Sequence, residues 1–118
     1  MSILSASASL TNTASVPASC LLNDSPNWAL TTTAATYTGS LWVRADTPGA
    51  TLNLRFREFA GSALAGSALK QISLTTSWQQ VRVSYTAAAG NTLDFNAYIP
   101  KAAPGPCFYA DDAVITTG

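Results

Sequence analysis

The stretch Thr51-Leu52-Asn53-Leu54-Arg55-Phe56-Arg57-Glu58-Phe59 alternates apolar and polar side chains almost without fault. A period of two is that of a β-strand with one buried face, so Leu52, Leu54 and Phe56 are expected inward and Asn53, Arg55, Arg57 and Phe59 outward. Glu58 is in phase with the inward set. The same alternation recurs along the chain. Ser5 to Thr13 shows it, and Tyr37 to Ala45 places Gly39, Leu41 and Val43 on one side against Thr38, Ser40, Trp42 and Arg44. Trp78 to Tyr85 sets Val81, Val83 and Tyr85 opposite Gln80, Arg82 and Ser84. In Asn91 to Pro100, Leu93, Phe95, Ala97 and Ile99 oppose Asp94, Asn96 and Tyr98, and Cys107 to Thr117 forms a last strand.

Turn residues punctuate these runs at Thr47-Pro48-Gly49, Gly61-Ser62, Gly66-Ser67, Ala89-Gly90-Asn91 and Pro104-Gly105-Pro106. Short strands at this spacing predict an all-β fold, a two-sheet antiparallel β-sandwich occupying residues 1–118 as one domain. The alanine-rich run from Ala60 to Gln71 allows a helix, but each interior glycine costs about 1 kcal/mol there. It reads better as a hairpin whose second strand runs into Gln71 to Leu74.

Composition narrows function. Six Lys plus Arg balance six Asp plus Glu, and only 10% of residues are charged, so 13 Ser and 15 Thr supply much of the polar surface. With zero formal net charge and no basic cluster, no electrostatic grip on nucleic acid or an anionic membrane is expected. The chain has no histidine, which excludes a Ser-His-Asp or Cys-His triad and removes the commonest zinc ligand. No apolar run is long enough to cross a membrane as a helix, and an export signal would lie outside this sequence.

Cys20 and Cys107 are 87 positions apart and fit no metal spacing. They form either a bridge or two independent buried thiols. Both sit beside loop-forming sequence rather than in mid-strand, which favours a Cys20–Cys107 disulfide if the protein is exported.

From Tyr37 onward the strands resemble a known group. Tyr37-Thr-Gly-Ser-Leu-Trp-Val-Arg-Ala45, Leu52-Asn-Leu-Arg-Phe-Arg-Glu58, Trp78-Gln-Gln-Val-Arg-Val-Ser-Tyr85 and Cys107-Phe-Tyr-Ala-Asp-Asp-Ala113 together resemble the jelly-roll carbohydrate-binding modules attached to secreted bacterial polysaccharide-degrading enzymes. The similarity runs from about Ser7 to the end. The resemblance implies a non-catalytic module, secreted as part of a larger bacterial protein, that targets an attached glycoside hydrolase to polysaccharide, with β-glucan first and xylan or mannan behind.

Such modules usually begin with an Asn-Gly-Phe-Glu type strand and a tryptophan, which this sequence lacks. Two expectations follow. A structural calcium, held in many relatives by that first segment and the closing strand, would keep only Asp111 and Asp112, and strict alternation would turn these to opposite faces. The uncovered sheet edge would pair in a homodimer, or a rearranged N-terminal segment would fill it.

Sugars offer C–H faces to flat aromatics and hydroxyls to planar hydrogen-bonding groups. The outward residues Arg44, Asn53, Arg55, Arg57, Gln80, Arg82, Asp94, Asn96 and Tyr98 would form one patch if their four strands share a sheet, with Trp42 as its aromatic platform. Trp28, in the turn-rich loop Asn23-Asp-Ser-Pro-Asn-Trp28, is a further stacking candidate, whereas Trp78 is expected to pack in the core at the end of the sandwich. The alternatives are a structural or adhesive spacer without sugar binding, and a glycosidase. The latter needs two carboxylates about 5 to 9.5 Å apart, for which Glu58 with Asp94 is the least unsuitable pair.

Overall fold

The computed structural model of the chain describes residues 2–4, 8–23 and 32–117, with side chains described over 8–22 and 32–117. Among these residues nine strands form: β1 (Ser2–Leu4), β2 (Ala8–Asn12), β3 (Ala18–Asn23), β4 (Thr36–Arg44), β5 (Thr51–Ala60), β6 (Ala63–Ser73), β7 (Gln79–Thr86), β8 (Thr92–Ala102) and β9 (Gly105–Thr117). One sheet runs β1-β9-β4-β7, with β2 also paired to β9; the other runs β3-β8-β5-β6. Every strand pairing among the described residues is antiparallel, and the two sheets stack as a jelly-roll sandwich.

The core is the set of inward residues that the alternation selects. Leu41 and Val43 of β4 meet Leu52, Leu54 and Phe56 of β5, with Val81, Leu93, Phe108 and Ile115 closing around them. Phe56 and Phe95 pack with ring centroids 4.9 Å apart. Gly39, in mid-β4, lies directly against both rings, so a Cβ there would collide with Phe95. Glycine is what lets the opposite sheet bring its aromatics in.

The run from Ala60 to Gln71 is a hairpin, not a helix: β5 turns at Gly61 (φ 64°) and returns as β6.

Two sequence expectations require correction. Cys20, expected beside a loop, lies inside a strand, β3, and Cys107 lies in β9 two residues after its start rather than opening it. They are bridged, with Cα atoms 6.6 Å apart, and so fasten one sheet to the other. The adjacent Leu21 and Leu22 hide β3 in the sequence; Leu21 faces solvent and Leu22 packs on the core.

The second correction concerns β9. Trp42 pairs with Asp111 and Ser40 with Val114, so two residues of β9 stand opposite Leu41. Asp112 takes φ 52°, the left-handed conformation that aspartate tolerates better than most residues, and makes a bulge. Buried Ala110 and Ala113 flank the pair, leaving Asp111 and Asp112 on the same, solvent side instead of alternating. The edge of β9 that the sequence reading left open is covered by β1 and β2. The N-terminal segment fills the gap.

Candidate functional site

The outer face of β3-β8-β5-β6 concentrates the polar groups. Antiparallel register sets Arg57 opposite Asp94, Arg55 opposite Asn96 and Asn53 opposite Tyr98. Arg57 grips Asp94 with two bonds, Nε donating to Oδ1 at 3.1 Å and Nη2 to Oδ2 at 2.5 Å. Arg55 donates from Nε to Asn96 Oδ1 at 3.0 Å and from Nη1 to the Tyr98 hydroxyl at 3.3 Å. Its guanidinium lies 4.5 Å from the centroid of the Tyr98 ring, and that of Arg57 lies 5.3 Å from the Phe59 ring. From β6, Gln71 donates to Asn53 Oδ1 at 2.7 Å.

These contacts stack in two levels. Asn53, Asp94 and Asn96 are buried, while Arg55, Arg57, Tyr98 and Phe59 are half-buried above them. The lower layer holds the upper one in place, so the guanidinium planes are fixed before any ligand arrives. The outer strands add exposed leucines beside these groups: Leu21 on β3 and Leu64 and Leu69 on β6. The face is thus a strip of guanidinium, amide and phenol groups between two leucine margins.

The structure does not assemble one patch from all the candidates. Strands β5 and β8 share a sheet, but β4 and β7 belong to the other. Trp42, Arg44, Gln80 and Arg82 therefore lie on the opposite outer face of the sandwich. There Arg44 stacks 4.4 Å from the Tyr109 ring centroid and 5.6 Å from that of Trp78. Asp46 accepts a hydrogen bond from the Tyr109 hydroxyl at 2.9 Å and sits 3.8 Å from Arg44, and Arg82 donates to Gln80 at 3.0 Å. The bond to Asp46, ahead of burial, pushes the Tyr109 hydroxyl up from its ordinary pKa. Trp42 and Trp78 are 39% and 41% exposed, so Trp78 is a surface residue and not part of the core. Trp28 lies outside the described residues. Gln71 and the three leucines were missed by the sequence reading: the register set at the Gly61 turn would bring Lys70 opposite Asn53, and a register shift between Glu58 and Phe59 puts Gln71 there instead.

Glu58 behaves as its phase predicts and points inward. Burial pushes its carboxyl up, but hydrogen bonds from Tyr85 (2.6 Å), Asn91 (2.6 Å) and the Ala88 backbone (3.1 Å) outweigh this and hold it below its ordinary value. Burial, then Glu58, pushes the Tyr85 hydroxyl up to about 12. Glu58 and Asp94 thus lie on opposite sides of one sheet, one locked in the core and one gripped by Arg57, an arrangement that cannot flank a glycosidic bond. For calcium, Asp111 and Asp112 share a side, but among the described residues no group of three His, Cys, Asp or Glu side chains is placed to hold a metal. Calcium takes six to eight oxygens, so these two carboxylates would need carbonyl and water oxygens beside them. A cavity of about 150 Å³ lies beside the disulfide, lined by residues including Thr47, Ile99, Lys101 and Pro106. It offers no aromatic ring to a sugar.

No family model matches the chain, and no curated protein matches it. Solved structures do. A family 4 carbohydrate-binding module matches with a TM-score of 0.59 at 19% identity over 85% of this chain and 61% of its own. A family 61 module solved with β-1,4-galactotriose matches at 0.61, with 10% identity over 95% of this chain and 69% of its own. The fold is that of the jelly-roll carbohydrate-binding modules. The N-terminal cellulose-binding domain of a Cellulomonas fimi β-1,4-glucanase gives 0.58 at 21% identity, covering 85% of this chain and 68% of that one. The chain spans less than two thirds of the family 4 module's length. Within such a jelly roll, β8 and β5 carry the strip of guanidinium, amide and phenol groups.

Proposed function

We propose that the chain is a non-catalytic module that binds polysaccharide along the outer face of β3-β8-β5-β6. The observation that carries this reading is the pre-assembled row of Arg57, Arg55 and Tyr98, each anchored by a partner on the neighbouring strand. Guanidinium forks suit paired ring hydroxyls, and the Tyr98 and Phe59 rings offer C–H contacts. A β-glucan is the first ligand class, with xylan and mannan behind it. A strip carrying few exposed aromatics fits a single soluble chain rather than a crystalline surface. Affinity is micromolar to millimolar, about 4 to 8 kcal/mol.

The module works within a larger secreted bacterial protein and brings an attached glycoside hydrolase to its substrate. The interstrand disulfide fits an oxidising compartment. Affinity electrophoresis through gels containing mixed-linkage β-glucan, xylan or mannan tests the reading. The protein is expected to be retarded by at least one glycan. Arg57→Ala and Tyr98→Ala should abolish retardation while leaving the folded circular-dichroism spectrum intact. Trp42→Ala, on the far face, should keep it. Free migration through every gel refutes the proposal in favour of a spacer without sugar binding.

A further inference from the structure

Arg55 and Arg57 occupy the same face of β5 two residues apart, and each faces a β8 residue at the same register position. Their partners differ by one atom type. Arg57 faces the carboxylate of Asp94 and is neutralised by a two-pronged ion pair. Arg55 faces the amide of Asn96, which has nearly the shape of an aspartate and none of its charge. Its second partner, the Tyr98 hydroxyl, is also neutral. No carboxylate among the described residues pairs with Arg55. Within this trio of Arg55, Arg57 and Asp94, one positive charge is left over.

A guanidinium has five N–H donors, and the two bonds to Asn96 and Tyr98 use two of them. The Tyr98 ring beneath and the buried Asn96 amide set the plane of the fork, so the remaining donors are held in fixed directions at a half-buried site. A cation so placed is more strongly drawn to an anion than one in open water. A carboxylate matches the fork with two parallel charge-assisted bonds, as Asp94 does for Arg57. We propose that Arg55 is the receptor for a carboxylate on the ligand, so that the strip selects glycans bearing uronic acid residues over their neutral counterparts. This rests on the reading that the strip binds polysaccharide at all. A hexuronate differs from the corresponding hexose only in carrying a carboxylate in place of the terminal hydroxymethyl group, so the backbone shape that the strip accepts is unchanged.

The test compares β-1,4-linked glucuronan oligosaccharides with the same oligosaccharides after carboxyl reduction, by calorimetry at 20 and 300 mM NaCl. The acid form is expected to bind about tenfold tighter at low salt, with the advantage shrinking at high salt as surface charge is screened. Asn96→Asp supplies Arg55 with the partner that Arg57 already has, and should bring the ratio of the two affinities to one or below. Should that variant fail to fold, Arg55→Gln is expected to erase the ratio in the same way. Equal or tighter binding of the reduced chain by the unaltered protein overturns the inference while leaving the proposed function standing. An acid advantage that survives Arg55→Gln also overturns it. Absence of binding to either form overturns the inference, and the proposed function falls with it only if the protein also migrates freely through every glycan gel.

Discussion

Replacing Glu58 by glutamine removes one negative charge from the core and changes no volume. Three donors converge on this carboxylate: Tyr85 on one oxygen, and Asn91 with the Ala88 backbone on the other. Together they tie the turn between β7 and β8 to the middle of the sandwich. A hydrogen bond to a charged group contributes about 1.5 to 3 kcal/mol, a neutral one about 0.5 to 1.5, so three weakened bonds cost about 3 kcal/mol. Glutamine avoids burying a charge, and this offsets part of the loss. The net expectation for Glu58→Gln is about 2 kcal/mol of destabilisation at pH 7. Urea unfolding followed by tryptophan fluorescence measures it. The pH dependence is the sharper reading. Because the folded-state value is depressed, the stability Glu58 contributes is present in full above its ordinary pKa of 4.5 and lost as pH falls through the lower folded value. The gap between the two proteins should therefore close in acid. At the other end, Tyr85 is raised from 10.0 to about 12, so its contribution is intact below pH 10 and fades as pH rises toward 12. Glutamine at 58 should bring tyrosinate absorbance at 295 nm in at lower pH. An unchanged urea midpoint at pH 7, or a gap that persists undiminished in acid, would refute the assignment of Glu58 as an ionised anchor.

Reduction of the Cys20–Cys107 bridge should lower stability by about 4 to 5 kcal/mol in the chain-entropy model, given the separation of 87 residues. Calorimetry with and without dithiothreitol reads this, and an unchanged unfolding temperature would show that the bridge does not constrain the unfolded chain. Gly39→Ala forces a methyl into the Phe56–Phe95 pair and is expected to cost about 1 to 3 kcal/mol through overpacking, seen as a lower urea midpoint. A neutral outcome would mean that the two rings can shift at no cost. Asp111 and Asp112 share one side of β9, so a calcium site completed there by carbonyl oxygens and water predicts a higher unfolding temperature in millimolar calcium than in chelator. Equal unfolding temperatures in the two would refute such a site.

The sequence separates inside from outside well, since a period of two is written directly in the residue types. Leu52, Leu54, Phe56 and inward Glu58 all lie where alternation puts them. It does not say which strands are neighbours. Arg44 and Arg57 obey the same local rule, yet one faces out from β4 and the other from β5, on opposite sides of the molecule. That is why a single predicted patch divides in two. Local breaks in the period are equally hard to read. The Asp112 bulge carries no glycine to announce it, and the consecutive leucines of β3 mask a strand whose outward side is apolar. Trp78 is expected in the core because it opens a strand, but it directly precedes β7 on the side that carries Arg44 and stays exposed.

The candidate site depends on register more than on any one contact. Arg55 and Arg57 face outward because Leu54 and Phe56, each one residue before them, are fully buried, and Asp94 and Asn96 are opposite because Leu93, Phe95 and Ala97 are buried in phase. A slip of β5 by one residue would bury both guanidinium groups and expose Phe56, so the apolar core fixes the polar strip as firmly as it fixes itself. The same coupling gives the difference between the two arginines its meaning. Register delivers Asp94 to Arg57 and Asn96 to Arg55, and no rotamer change confined to the surface can exchange those partners. The strip's charge is consequently a property of the fold.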